Sequence, residues 1–99
     1  MAAAAESACE LLKALANRHR LMIVCQLIDG ERSVGELADL LDIRQSAVSQ
    51  HLALLRKDGL VATRREGQTI FYRIGSGPAA AIVHTLYNCF CPSKPTLDK

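Results

Sequence analysis

The hydrophobic period of this chain changes twice, and that limits the folds open to it. Up to Gly59 apolar residues recur every three or four positions, from Leu60 they partly alternate, and after Pro78 the helical spacing returns. The first stripe, in residues 7–16, is Ala8, Leu11, Leu12 and Leu15, set among alanines that favour helix. Asn17 can cap a second helix carrying Leu21, Val24, Cys25 and Ile28, which Asp29-Gly30 stops. Ser33 and Glu36 have the spacing of a capping box and open a short third helix through Leu37, Leu40 and Leu41. After Asp42-Ile43 a longer fourth helix carries Val48, Leu52 and Leu55 as far as Asp58-Gly59. Residues 60–65 and 69–74, joined by Glu66-Gly67-Gln68, read as a hairpin. Ser76 or Gly77 caps a last helix, with Pro78 in its first turn and Ile82, Val83, Leu86 and Phe90 as its stripe before Pro92.

This order predicts a mainly α fold with a small β-hairpin. The short third helix, a tight turn and a fourth helix with a polar leading edge form a helix-turn-helix. The chain's 99 residues leave no room for two cores, so a single domain spans 1–99, with 93–99 as a frayed tail. Hydrophobic residues at 49% and charged residues at 22% exclude a disordered chain. A domain of this size often completes its core in an oligomer.

The net charge of +2 identifies no partner, but its distribution is informative. Residues 1–43 hold four basic and seven acidic side chains, whereas residues 44–73 hold six and two. Basic charge is concentrated in one block, which suits contact with phosphates. The N-terminus lacks the basic start of a secretory signal, and no apolar run approaches a membrane span of about 20 residues. These features point to a cytoplasmic protein with no membrane partner, in which Cys9, Cys25, Cys89 and Cys91 are free thiols.

The fourth helix opens with Arg44, Gln45, Ser46, Ala47, Val48, Ser49, Gln50 and His51. Its first two turns place Arg44, Gln45, Ser46, Ser49, Gln50 and His51 where side chains can reach base edges and phosphates, while Val48 and Leu52 lie on the core side. A solvated polar face has the same pattern. The adjoining hairpin, with Arg64, Arg65 and Gln68 as candidate backbone or minor-groove contacts, favours double-stranded DNA.

The runs Ser33-Val34-Gly35-Glu36-Leu37-Ala38, Gln45-Ser46-Ala47-Val48-Ser49-Gln50-His51-Leu52 and Leu55-Arg56-Lys57-Asp58-Gly59-Leu60-Val61 resemble the ArsR/SmtB family of winged-helix repressors, and Gln68-Thr69-Ile70-Phe71-Tyr72 resembles their wing. The resemblance implies a winged helix-turn-helix homodimer closed by the first and last helices, bound to a palindromic operator and released by an inducer. Members that sense arsenic or cadmium carry two cysteines where this chain has Ser33 and Gly35, and zinc-sensing members need more ligands in the last helix than His84 supplies. No metal and no cofactor is therefore expected.

Cys25 and Cys91 resemble the cysteine pair of the BigR/SqrR/YgaV subgroup, in which reactive sulfur species join the two thiols and the repressor leaves DNA. The resemblance implies that Cys25 and Cys91 are the thiol sensor. Cys89 and Cys91 lie roughly 200° apart around a helix and cannot face one partner, and Cys9 and Cys89 read as small core residues. His19 and His84 read as surface or half-buried residues, and Phe71, Tyr72, Tyr87 and Phe90 as packing. A general thiol-redox or metal-responsive repressor of the same family stays open as an alternative. A thiol persulfide transferase is a more distant one, because no His or carboxylate stands at a spacing that would activate either cysteine, and the chain is not expected to be an enzyme.

Overall fold

The computed structural model describes residues 1–90, so Cys91 and the tail 93–99 lie outside the described residues. Five helices and three strands follow one another as α1 (Ala2–Leu15), α2 (Arg18–Gln26), β1 (Arg32–Ser33), α3 (Val34–Leu41), α4 (Gln45–Lys57), β2 (Val61–Glu66), β3 (Thr69–Ile74) and α5 (Gly77–Phe90). The architecture is the expected one, mainly helical with a β-hairpin wing.

Local chemistry sets most boundaries. The Asn17 side chain accepts from the amides of His19 and Arg20, and Ser33 and Glu36 close a reciprocal capping box at 3.2 and 2.8 Å. At the last helix it is Ser76, not Gly77, that caps, its hydroxyl accepting from the Ala79 amide at 3.1 Å. Gly59 ends α4 at φ 79°, a left-handed conformation that glycine adopts without steric cost. The hairpin turn is tighter than expected, because Glu66 still pairs with Thr69 and only Gly67 and Gln68 lie between the strands.

Two features differ from the sequence reading. α1 starts at Ala2 rather than residue 7, since the alanine run that carried no apolar stripe is itself strongly helix-forming. The two-residue strand β1 has too little sequence for any periodicity. It pairs antiparallel with β3, Arg32 opposite Tyr72 and Ser33 opposite Phe71, giving the sheet order β1-β3-β2.

The core lies between α2, α3, α4 and α5, where Ile23, Val24, Leu37, Val48, Leu52, Leu55 and Val83 are fully buried. Each such side chain contributes about 1.5–3 kcal/mol by leaving water. Tyr72 and Ile74 of β3 pack on the same core, which seats the hairpin root against the helices. On the first and last helices, Leu12 of α1 and Phe90 of α5 stay 53% and 77% exposed. Of the predicted stripes only part looks outward, because Leu15 of α1 and Val83 of α5 are buried in the core. Cys9 and Cys89 are exposed as well and do not fill the core as expected, because their helix faces point away from it. Among the described residues no helix is long and apolar enough to cross a membrane.

Candidate nucleic-acid interface

α4 divides its residues by angle. Val48, Leu52 and Leu55 are buried, whereas Gln45, Ser46, Ser49 and Gln50 are exposed together with Arg44 just before them. Positions 46, 49 and 50 share one side of a 3.6-residue helix, so these polar groups form a continuous strip. Arg44 makes no side-chain capping bond, and its charge is left at the start of that strip. Ser49 also lines a crevice of about 420 Å³ with Ser33, Gly35, Gln68 and Thr69, so the helix and the wing border one surface.

His51 stands apart from the strip. Its ring lies 5.6 Å from that of His19 in α2, and its Nδ1 is buried without a hydrogen-bond partner. Loss of hydration, with the charges of Arg20 and His19 adding to it, holds its pKa below the ordinary histidine value. The sequence counted His51 among the candidate DNA contacts of the fourth helix, and one residue past Gln50 the helix has turned its side chain toward α2.

The wing arginines also separate. Successive residues of a strand point to opposite faces, so Arg64, opposite Phe71, and Arg65, opposite Ile70, cannot share one. Arg64 gives Nε and Nη2 to Glu31 at 3.0 and 2.8 Å and Nη1 to Glu66 at 3.0 Å, with its guanidinium 5.0 Å from the Phe71 ring centre. These bonds, the one to Glu31 above all, make Arg64 harder to deprotonate and hold Glu31 below the usual carboxylate range. Arg73 reaches Glu31 at 3.9 Å. Arg65 and Gln68 are exposed, and Arg65 has no ion-pair partner among the described residues.

Cys25 is half-buried in α2 and packs against the core. Between α1 and α5 runs an open groove of about 1070 Å³, walled by Ala8, Leu11, Leu54 and Ile82 among others. Among the described residues no group of three or more His, Cys, Asp or Glu could hold a metal ion.

Comparison with known proteins accords with this geometry. Residues 17–63 match the family described as bacterial regulatory protein, arsR family. The transcriptional activator HlyU of Vibrio cholerae is 54% identical over 81 residues, covering 82% of this chain and 75% of the relative. The solved structure of reduced HlyU superposes with a TM-score of 0.89 at 50% identity, covering 92% of this chain and 96% of that one. The biofilm growth-associated repressor of Agrobacterium fabrum is 51% identical over 87 residues, covering 88% and 74% of the two chains. A homodimeric winged helix-turn-helix DNA-binding domain from Mycobacterium bovis, described as a possible ArsR-family regulator, matches with a TM-score of 0.78 at 33% identity, covering 93% and 85%. These relatives are transcriptional regulators rather than enzymes, and this chain belongs to the arsR family of bacterial regulatory proteins.

Proposed function

We propose that the protein is a homodimeric, operator-binding transcriptional repressor whose Cys25 and Cys91 sense reactive sulfur species. The observation that carries the DNA-binding part is the exposed strip Gln45, Ser46, Ser49 and Gln50 beside the wing's Gln68 and unpaired Arg65. In this reading α4 enters the major groove, its amide and hydroxyl groups address base edges, and Arg44 and Arg65 address phosphates. Two copies set about 34–36 Å apart would meet successive major grooves on one face of the duplex. The α1–α5 groove and the exposed Leu12 and Phe90 support a dimer closed through those helices, as does the homodimeric Mycobacterium bovis relative.

The sensing part is supported by Cys25, a half-buried thiol on the helix that packs against both α4 and α5, and by the similarity to HlyU, solved in a reduced form. A sulfane-sulfur donor transfers one sulfur to the Cys91 thiolate and leaves as its own thiolate. The Cys25 thiolate then attacks the Cys91 sulfur of that persulfide, forming the S–S bond and expelling hydrosulfide, which carries off the two electrons. Where a second donor first extends the Cys91 persulfide by one sulfur, leaving as its own thiolate, attack of Cys25 on the middle sulfur expels hydrosulfide and leaves a longer, three-sulfur bridge. A covalent link of this kind can contribute several kcal/mol to the state it favours, more than the roughly 1–3 kcal/mol of a usual allosteric coupling.

A mobility-shift assay on the promoter of the protein's own operon tests both parts. Reduced protein should bind and polysulfide should release it, with mass spectrometry finding Cys25 joined to Cys91 while Cys9 and Cys89 remain unlinked. Cys25→Ser and Cys91→Ser should each bind DNA and ignore polysulfide. A normal response from either variant, or loss of the response in Cys89→Ser, overturns the pairing. Release by zinc or by peroxide alone would favour the metal-responsive or general thiol-redox reading.

A further inference from the structure

The wing's two adjacent arginines have opposite surroundings. Arg65 is exposed and has no ion-pair partner among the described residues, whereas each of the three guanidinium nitrogens of Arg64 already has a carboxylate partner. Glu31 lies 33 positions earlier in the chain, in the connection between α2 and β1, so its bond with Arg64 ties the hairpin to the helical body. The same carboxylate reaches Arg73 at 3.9 Å and so touches both strands of the hairpin. The tie sits where support is running out. Among the described residues β1 holds β3 only at Phe71 and Tyr72, and from Ile70 to the tip the wing is a two-stranded ribbon with nothing else paired to it. Such a ribbon is weakly held without further contacts.

We propose that Glu31 is a positioning residue for DNA binding, holding Arg64 as a strut that sets the angle of the wing, and that Arg65 rather than Arg64 is the wing's phosphate contact. This rests on the DNA-binding reading above. Charge alone gives the opposite expectation for Glu31, because a carboxylate beside the DNA face repels phosphates and its removal should tighten binding. A phosphate that took Arg64 would break the bidentate pair and leave Glu31 with only its longer contact to Arg73, at 3.9 Å. The fixed pair on the outward face keeps the wing oriented so that Arg65, on the other face, is presented with Gln68.

The test uses the full chain and a duplex from its own promoter, titrated by fluorescence anisotropy over a range of salt concentrations. Glu31→Gln should weaken binding by up to about fivefold, the scale of a partly exposed ion pair, with the salt slope unchanged despite the gain in net charge. Arg64→Ala should behave the same, and the double variant should be no weaker than either alone. In the wild-type protein the Arg64 Nε–H resonance should keep its chemical shift when DNA is added, a readout that does not depend on how any variant folds. Tighter or unchanged binding by Glu31→Gln overturns the proposal, as does a salt slope lowered by about 0.9 per protomer in Arg64→Ala, the mark of a lost phosphate contact. A shifted Arg64 resonance in the complex overturns it too. Wild-type protein that binds no duplex at any salt concentration overturns the DNA-binding reading itself, an outcome distinct from those above.

Discussion

The two ends of the molecule are finished to different degrees. At the α4 and wing end a single chain satisfies most of its groups, with the capping box of Ser33 and Glu36 closed, Val48, Leu52 and Leu55 fully buried, Arg64 paired to Glu31 and Glu66, and the buried Nδ1 of His51 left without a partner among the described residues. The strip of α4 and the wing tip exposed there are polar and basic, while Leu40 of α3 and Leu54 of α4 are exposed elsewhere on these helices. On α1 and α5, Leu12, Ile82 and Phe90 are exposed, Ile82 lining an open groove, although their spacing is that of core residues. Large apolar side chains kept in water at helical spacing mark a surface that is complete only against a partner. In the proposed reading one end meets a polyanion and the other a second apolar surface.

The largest effect should come from spoiling the apolar end. Leu12→Glu puts a charge on a residue that the single chain leaves half exposed, so each protomer should still fold while the dimer fails. Losing the linkage between two DNA-reading helices removes the gain of simultaneous binding, worth on the order of 10²–10⁴ in affinity. Sedimentation should find a monomer, and anisotropy should find operator binding at least about 100-fold weaker. A variant that stays dimeric with normal affinity would place the interface elsewhere and erase the contrast between the ends.

A smaller and more selective loss is expected at the polar end. Gln50→Ala removes an amide able to make paired hydrogen bonds with an adenine edge, worth about 1–3 kcal/mol against the wrong base, so operator affinity should fall while binding to unrelated duplex holds. Arg65→Ala should weaken binding to every sequence and lower the salt slope by about 0.9 for each protomer. If the two variants lose specific and nonspecific affinity in the same proportion, the helix strip and the wing do not have separate roles.

How much of this could be read from the chain followed from how local each cause is. Caps at Asn17 and Ser33, the stop at Gly59 and the hairpin around Gly67 depend on neighbouring residues, and the structure has each where the sequence puts it. The buried side of α4 was equally legible, since Val48, Leu52 and Leu55 repeat at helical spacing. Leu12, Phe90, Cys9 and Cys89 were harder, because spacing reveals an apolar or small residue on a helix but not whether this chain covers it. Glu31 carried no signal at all. Its role depends on Arg64 and Arg73 coming close from more than 30 residues away, and a lone Glu after Asp29-Gly30 looks like any other loop carboxylate. His51 was grouped with Gln50 because a list of polar residues ignores the roughly 100° turn between successive helix positions.

The smallest expected effect concerns that histidine, the one polar side chain at the α4 and wing end whose buried atom lacks a partner among the described residues. His51 is held below the ordinary histidine pKa, first by lost hydration and then by the nearby charges of Arg20 and His19. The unfolded chain, where the value returns to about 6.5, therefore takes up the proton more readily than the folded one. Stability contributed by keeping His51 neutral is fully present above pH about 6.5, and is lost as the pH falls from there through the lowered folded value. His51→Gln keeps a neutral polar group of similar reach but cannot titrate. The fall in Tm between pH 8 and pH 5 should be greater for the wild type than for this variant, by a margin small beside the Leu12→Glu effect because the ring is only partly buried. Equal falls in the two proteins would mean that the α2–α4 junction hydrates His51 freely, and that this end of the chain has no unsatisfied group left to distinguish it.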